Sequence, residues 1–69
     1  MNKLAERLKD LREEKGLSQQ ELRRALKLGG GSTVSRWESG KQDIASHHLI
    51  LLADFFDVSI DYLVGRVDD

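Results

Sequence analysis

Few side chains in this 69-residue sequence are typical of catalysis or metal binding. There is no cysteine, which excludes thiol catalysis, disulfides and cysteine-ligated zinc. His47 and His48 are adjacent, and neighbours on a helix point about 100° apart, so we expect two solvated histidines rather than a metal site. Serine, histidine and aspartate occur, but no spacing implies a triad, and so small a domain has little room for an active-site cleft. We therefore expect no enzyme, metal or other cofactor.

Three consecutive glycines at 29–31 raise the question of a phosphate-binding loop. A nucleotide loop needs a preceding strand and a following Gly-Lys-Ser/Thr, and this sequence has neither. Three glycines lose a large conformational entropy on ordering, so we interpret the run as a turn. The Gly-Gly-Gly-Ser string also resembles an engineered linker, which leaves a natural and a designed turn as alternatives.

The two parts of the chain carry opposite charge, although the net charge is only −1. Residues 1–41 contain 10 Lys and Arg against 6 Asp and Glu, whereas residues 42–69 contain 1 against 6. Such a dipolar domain can present a basic face to a polyanion such as nucleic acid. A lopsided charge also arises by chance in small domains.

Composition and periodicity predict a single all-α domain. The sequence is 39% hydrophobic and 33% charged, lacks proline, and reads as short helices separated by glycine. No apolar run approaches the ~20 residues that span a bilayer, and the N-terminus lacks a signal core, so we expect a soluble, cytoplasmic protein. The domain is predicted over 1–66, with a frayed tail at 67–69. The predicted helices are 3–14, 19–27, 32–39, 45–56 and 60–64.

Local sequence patterns predict where a helix begins and which faces of the helices are buried. Ser18 and Glu21 form a capping-box pattern at the start of the second helix. In the third helix, Val34 and Trp37 lie three apart on one predicted core face, with polar side chains on or beside the other. Other predicted core residues are Leu4, Leu8, Leu11, Leu22, Ala25, Leu26, Leu49, Leu52, Ala53 and Phe56.

The fourth helix is more apolar than one buried face requires. Ile50 or Leu51 is therefore a candidate for an exposed position in a dimer interface, with a wider core contact as the alternative. Five short helices with a tight turn between the second and third are typical of a helix-turn-helix domain. Periodicity alone also allows a generic helical bundle.

Specific motifs narrow this choice. Residues 11–19 read Leu-Arg-Glu-Glu-Lys-Gly-Leu-Ser-Gln, and Glu21-Leu22 follow. Residues 32–41 read Ser-Thr-Val-Ser-Arg-Trp-Glu-Ser-Gly-Lys, and residues 52–65 read Leu-Ala-Asp-Phe-Phe-Asp-Val-Ser-Ile-Asp-Tyr-Leu-Val-Gly. In order and spacing, this resembles the lambda-repressor/Cro-like (xenobiotic-response-element type) helix-turn-helix family of bacterial and phage transcriptional regulators. The resemblance implies a compact five-helix fold, with 19–27 lying across the DNA backbone and 32–39 in the major groove.

The resemblance also implies residue roles. Two hydrogen bonds from Arg36 to guanine O6 and N7 would give ~1–3 kcal/mol of discrimination. By similarity, base edges are faced by Ser32, Thr33 and Arg36; phosphates are contacted by Gln19, Ser39 and Lys41; and Arg12 pairs with Glu38 as a structural bridge. The chain departs from the family pattern at Arg23, where a small residue is usual, at Lys27, where glycine is common, and in a turn one residue longer.

We therefore expect a sequence-specific regulator, with repression the expected effect. The expected partner is double-stranded DNA with a palindromic operator, bound by a homodimer, and we expect no membrane or small-molecule partner. The alternative is a protein-interaction module on the same fold, such as an antitoxin-like or anti-repressor domain.

Overall fold

The computed structural model describes residues 3–67, which form five α-helices and contain no strand. The all-α, five-helix prediction is confirmed. Helix α3 packs against both α1 and α2, and α5 packs against α1 and α4. No helix within the described part of the chain is both long and apolar enough to cross a bilayer. The helices are α1 (Lys3–Glu14), α2 (Gln19–Ala25), α3 (Thr33–Glu38), α4 (Ser46–Phe56) and α5 (Ile60–Leu63).

The start of α2 follows the predicted capping box. Ser18 Oγ accepts a hydrogen bond from the Glu21 amide at 3.0 Å, and the Ser18 amide donates to Glu21 Oε1 at 2.8 Å. Two of the amides that a helix start leaves without partners are thereby satisfied. Because the carboxylate accepts from the Ser18 backbone, the pKa of Glu21 lies below its usual value.

Helix α2 ends two residues before the predicted end, which makes that boundary wrong. Lys27 adopts the left-handed region, with φ of 57°, and cannot continue the helix. The Leu28 amide donates to Arg23 O at 3.0 Å, and the Lys27 amide donates to Arg24 O at 3.0 Å. These bonds close the last turn and direct the chain into the glycine run. The other predicted helix bounds differ from the observed ones by at most one residue.

A continuous apolar core lies between the helices. Its most deeply buried side chains are Trp37, Leu8, Leu22, Leu52, Leu63 and Val34. The prediction that Ala25 is buried is wrong, because its position near the end of α2 faces solvent. Leu28 and Ile44 belong to the core instead. They lie in the segments before and after α3 and help to hold that helix from both ends.

The described C-terminal segment is held to α1. Arg7 Nη1 donates to Tyr62 O and to Val67 O, each at 2.5 Å, and its guanidinium lies 4.2 Å from the Tyr62 ring centre. Charge-assisted bonds of this kind are stronger than neutral ones. Val67, the first residue of the predicted frayed tail, accepts one of these bonds. Residues 68–69 of that tail lie outside the described residues.

Candidate nucleic-acid interface

Helix α3 has a buried face and a polar exposed face. Val34 and Trp37 are buried in the core, as predicted. Ser32, Ser35 and Arg36 are exposed. The helix is therefore held by its apolar side and offers hydroxyl and guanidinium groups to solvent, which are the groups that read base edges.

The Arg36 side chain is held in one orientation by two neighbours. Its Nε donates to Gln42 Oε1 at 2.8 Å, and its Nη1 donates to Ser32 Oγ one turn earlier. Two of the five guanidinium N–H groups are engaged in this way, so the Nη1–Nη2 end keeps free donors. Gln42 was not predicted from the sequence, because no local pattern indicates that a residue beyond Gly40 contacts α3.

Thr33 differs from its predicted position. Only 8% of the residue is exposed, and its single hydroxyl proton is shared between Gly29 O at 2.6 Å and Gly30 O at 3.0 Å. The expectation that Thr33 projects outward beside Arg36 is therefore wrong. Its hydroxyl bonds to carbonyls of the preceding turn. The direction of this hydroxyl depends on the turn conformation, which an amphipathic sequence pattern does not indicate.

Arg12 and Glu38 lie in contact between α1 and α3. Arg12 Nε is 2.7 Å from Glu38 Oε2, and Nη2 is 3.1 Å from Oε1. Arg12 Nη1 also donates to Leu17 O at 2.7 Å. The hydrogen bond to Glu38 is the main cause that raises the pKa of Arg12 above its ordinary value. Gln19, the first residue of α2, donates from Nε2 to Glu38 Oε1 at 3.0 Å.

A surface groove of about 390 Å³ lies beside this cluster. Lys9 of α1 brings a second cation to its wall, and the Glu38 carboxylate there is already satisfied by Arg12 and Gln19. Hydroxyl, amide and cationic donors thus surround a space that suits an anionic oxygen. Lys9 was not identified from the sequence. The groove is lined by Lys9, Arg12, Gln19, Ser35, Glu38 and Ser39.

Ser39 and Lys41 follow at the C-terminal end of α3. Ser39 Oγ donates to Arg36 O at 3.1 Å, which leaves its oxygen as an acceptor and directs its proton to the helix. Gly40 takes φ of 78° and turns the chain, and the Lys41 amide then donates to Arg36 O at 3.0 Å. The Lys41 side chain is exposed.

The two histidines are not equally solvated. His47 is exposed as expected, but His48 is partly buried, with its ring centre 5.2 Å from that of Trp37. Burial, and secondly the neighbouring His47, lower the pKa of His48. No cluster of three or more potential metal-ligating His, Asp or Glu side chains occurs within residues 3–67.

Comparison with known proteins shows the family to which this chain belongs. Residues 8–63 match the helix-turn-helix family model. Over 63 residues the chain is 33% identical to the HTH-type transcriptional regulator ImmR of Bacillus subtilis (strain 168), an alignment that covers 91% of this chain and 49% of that protein. The chain thus spans about half the length of this relative. The family match covers most of the chain, including all of α2 to α5, and the chain belongs to the lambda-repressor/Cro-type helix-turn-helix family.

Proposed function

We propose that this chain binds double-stranded DNA sequence-specifically, with α3 in the major groove, and thereby regulates transcription. This proposal rests on one observation: Arg36 is exposed on one face of α3, while Trp37 on the other face is buried in the core. An exposed, oriented guanidinium with free donors matches the paired acceptors O6 and N7 of guanine.

Ser32 and Arg36 are the proposed base-edge readers. Ser32 Oγ accepts from Arg36, so its own proton is available to a second acceptor on a base. Thr33 is assigned no direct contact, because its hydroxyl is engaged with the turn. Ser35 is exposed one residue before Arg36 and lines the groove, which suits contact with the DNA backbone.

The proposed phosphate contacts surround this face. Gln19 and Lys41 keep this role, and Lys9 joins them because it lines the same groove as Gln19. Ser39 keeps it by turning its exposed hydroxyl proton from Arg36 O to the phosphate. Phosphate contacts position the protein on the duplex, whereas base contacts specify the sequence. The Arg12–Glu38 pair serves this surface indirectly by holding α1 against α3.

A homodimer on a palindromic operator fits the size of the domain. The described chain measures 30 × 23 × 21 Å, so two copies fit side by side when their recognition helices lie ~34–36 Å apart, one turn of DNA. Two copies would also sum contacts that a domain with a net charge of −1 makes weakly alone. Repression is the effect we propose, because occupying an operator suffices to exclude other proteins from it. A cytoplasmic location would give the chain access to bacterial DNA.

Selection from a random oligonucleotide pool tests this function. We expect enrichment of a palindrome, with log affinity falling against log salt by about 0.9 per phosphate neutralised. Arg36→Ala should lose about 10- to 100-fold in operator affinity over scrambled DNA, with the fold intact. Arg66→Ala, which removes the same charge after α5, is the matched control. No enrichment, or an unchanged preference in Arg36→Ala, would contradict the proposal.

A protein-interaction module is the second candidate function. Ile50 and Leu51 are both exposed on α4, which a monomeric DNA reader does not require. Charged replacements there would abolish partner binding and leave DNA binding intact if this function holds. Under the first proposal, the same replacements would weaken dimer formation and, with it, binding to the palindromic operator.

A further inference from the structure

Resting on the proposed function, we infer that Arg23 is a positioning residue for sequence recognition. Its guanidinium, together with Gln20, holds the glycine turn that precedes α3. The orientation of the turn sets where the first turn of α3 presents Ser32 and Arg36. Arg23 thereby acts on base reading through the turn, without contacting DNA.

The contacts of Arg23 reach both ends of the turn. Arg23 Nη1 donates to Leu28 O at 3.1 Å, where the turn begins. Its Nε donates to Gln20 Oε1 at 2.8 Å, and Gln20 Nε2 donates in turn to Gly31 O, where the turn ends. One half-buried side chain of α2 is thus connected directly to the carbonyl before the glycines and, through one neighbour, to the carbonyl of the last glycine.

The remaining two carbonyls of the turn accept a hydrogen bond from Thr33, the first residue of α3. Thr33 Oγ1 shares its one proton between Gly29 O at 2.6 Å and Gly30 O at 3.0 Å. Four consecutive carbonyls, those of residues 28–31, therefore accept side-chain hydrogen bonds from either side of the turn. Glycines bring no side chains to pack and have unusually wide backbone freedom. Leu28 is anchored in the core, and beyond it the path of the three glycines depends on these polar contacts.

The shape of the guanidinium explains why arginine suits this position. Its planar fork directs Nε and Nη1 to two acceptors at once, whereas the single ammonium of lysine cannot hold both with the same geometry. A shift of the turn would move Ser32 and Arg36 relative to the base edges. Hydrogen bonds weaken steeply with poor angles, so such a shift lowers discrimination more than general DNA affinity.

The test compares Arg23→Ala, Arg23→Lys and Gln20→Ala with Arg24→Ala, a control that removes the same charge from the next, exposed residue of α2. Affinities for the selected operator and for a scrambled duplex are measured at several salt concentrations, below the melting temperature of each variant. We expect the operator-to-scrambled ratio to fall about tenfold in Arg23→Ala, the lower end for one bidentate contact. Arg23→Lys should not restore it, Gln20→Ala should lower it, and Arg24→Ala should leave it unchanged.

The salt dependence separates positioning from a direct phosphate contact. The log–log slope of operator binding should stay unchanged in Arg23→Ala, since a lost phosphate contact would reduce it by about 0.9. Hydrogen exchange of the Thr33 amide, which donates to Gly30 O at 3.3 Å, should become faster in Arg23→Ala without DNA. An unchanged ratio, a reduced slope or unchanged exchange would overturn the inference. A wild-type chain that binds no duplex, with faster exchange still seen in the variant, would instead overturn the proposed function.

Discussion

Arg12 and Glu38 form a buried, two-bond ion pair that joins α1 to α3. Their side chains are only 10% and 5% exposed. Leu17 O accepts a further bond from Arg12, and Gln19 donates to Glu38, so each member of the pair makes one more hydrogen bond outside it. Removing either partner of such a buried pair lowers the free energy of unfolding, because the other partner remains as an uncompensated charge.

Glu38→Gln should therefore destabilise the fold strongly. Removing one partner of a buried ion pair costs about 3–5 kcal/mol in free energy of unfolding, because the Arg12 charge stays behind. Urea unfolding followed by circular dichroism measures the loss. Glu13→Gln is the matched control, since Glu13 lies 3.9 Å from Arg12 Nη2 but is 56% exposed, and should cost less than about 1 kcal/mol. Equal effects of the two substitutions would contradict the role assigned to the pair.

Lys27→Gly should stabilise the protein. Lys27 has φ of 57°, a conformation that costs a residue with a Cβ roughly 1 kcal/mol and costs glycine little. The greater freedom of glycine in the unfolded chain offsets part of this gain, so we expect a net increase of about 0.5 kcal/mol. Arg24→Gly, within the helical part of α2, should lower stability by about 1 kcal/mol. A loss of stability in both variants would count against left-handed strain at Lys27.

The three glycines of the turn should respond differently to alanine. A Cβ added at Gly29 or Gly31 meets no atom within 4 Å, so alanine there should stabilise by about 0.4–1 kcal/mol through the unfolded chain. Gly30 has φ of 78°, and a Cβ would lie 3.0 Å from Thr33 Oγ1. Gly30→Ala should therefore destabilise by roughly 1–2 kcal/mol. Thermal melts of the three single variants check this order, and a uniform response would contradict the turn conformation.

Stability should fall in mild acid because of His48. Burial lowers the pKa of His48 in the folded protein, so the unfolded chain takes up its proton first as pH falls. Below about pH 6.5, the ordinary histidine value, the free energy of unfolding should decrease until the folded pKa is reached, and then level off. Urea titrations between pH 7.5 and 5 should show this slope reduced in His48→Gln. The same slope in wild type and His48→Gln would assign the effect to other groups.

Local patterns predicted much of the fold. The Ser18–Glu21 capping box needs only residues three apart, and the Val34–Trp37 spacing needs only helical geometry, so both were readable from the sequence. Leu28 and Ile44 were not, because they lie in connecting segments where no periodicity marks the buried side. Their burial depends on how α3 packs against the other helices.

The candidate site was less predictable than the helices. Arg36 could be placed on the exposed face, but its contact with Gln42 depends on the path of the chain after α3. Thr33 was misplaced because its hydroxyl follows the carbonyls of a glycine turn, whose conformation the sequence leaves open. Lys9 could not be predicted, because only the packing of α1 places it in the same groove as Ser39.

The contact between Trp37 and His48 gives the chain an intrinsic optical probe. Trp37 is the single tryptophan of the sequence, and its emission reports on one defined place, the packing of α3 against His48. A protonated imidazole quenches indole emission more strongly than a neutral one. Because the opposite face of α3 is the one proposed to meet DNA, movement of this helix on binding would be visible as a change in emission without any added label.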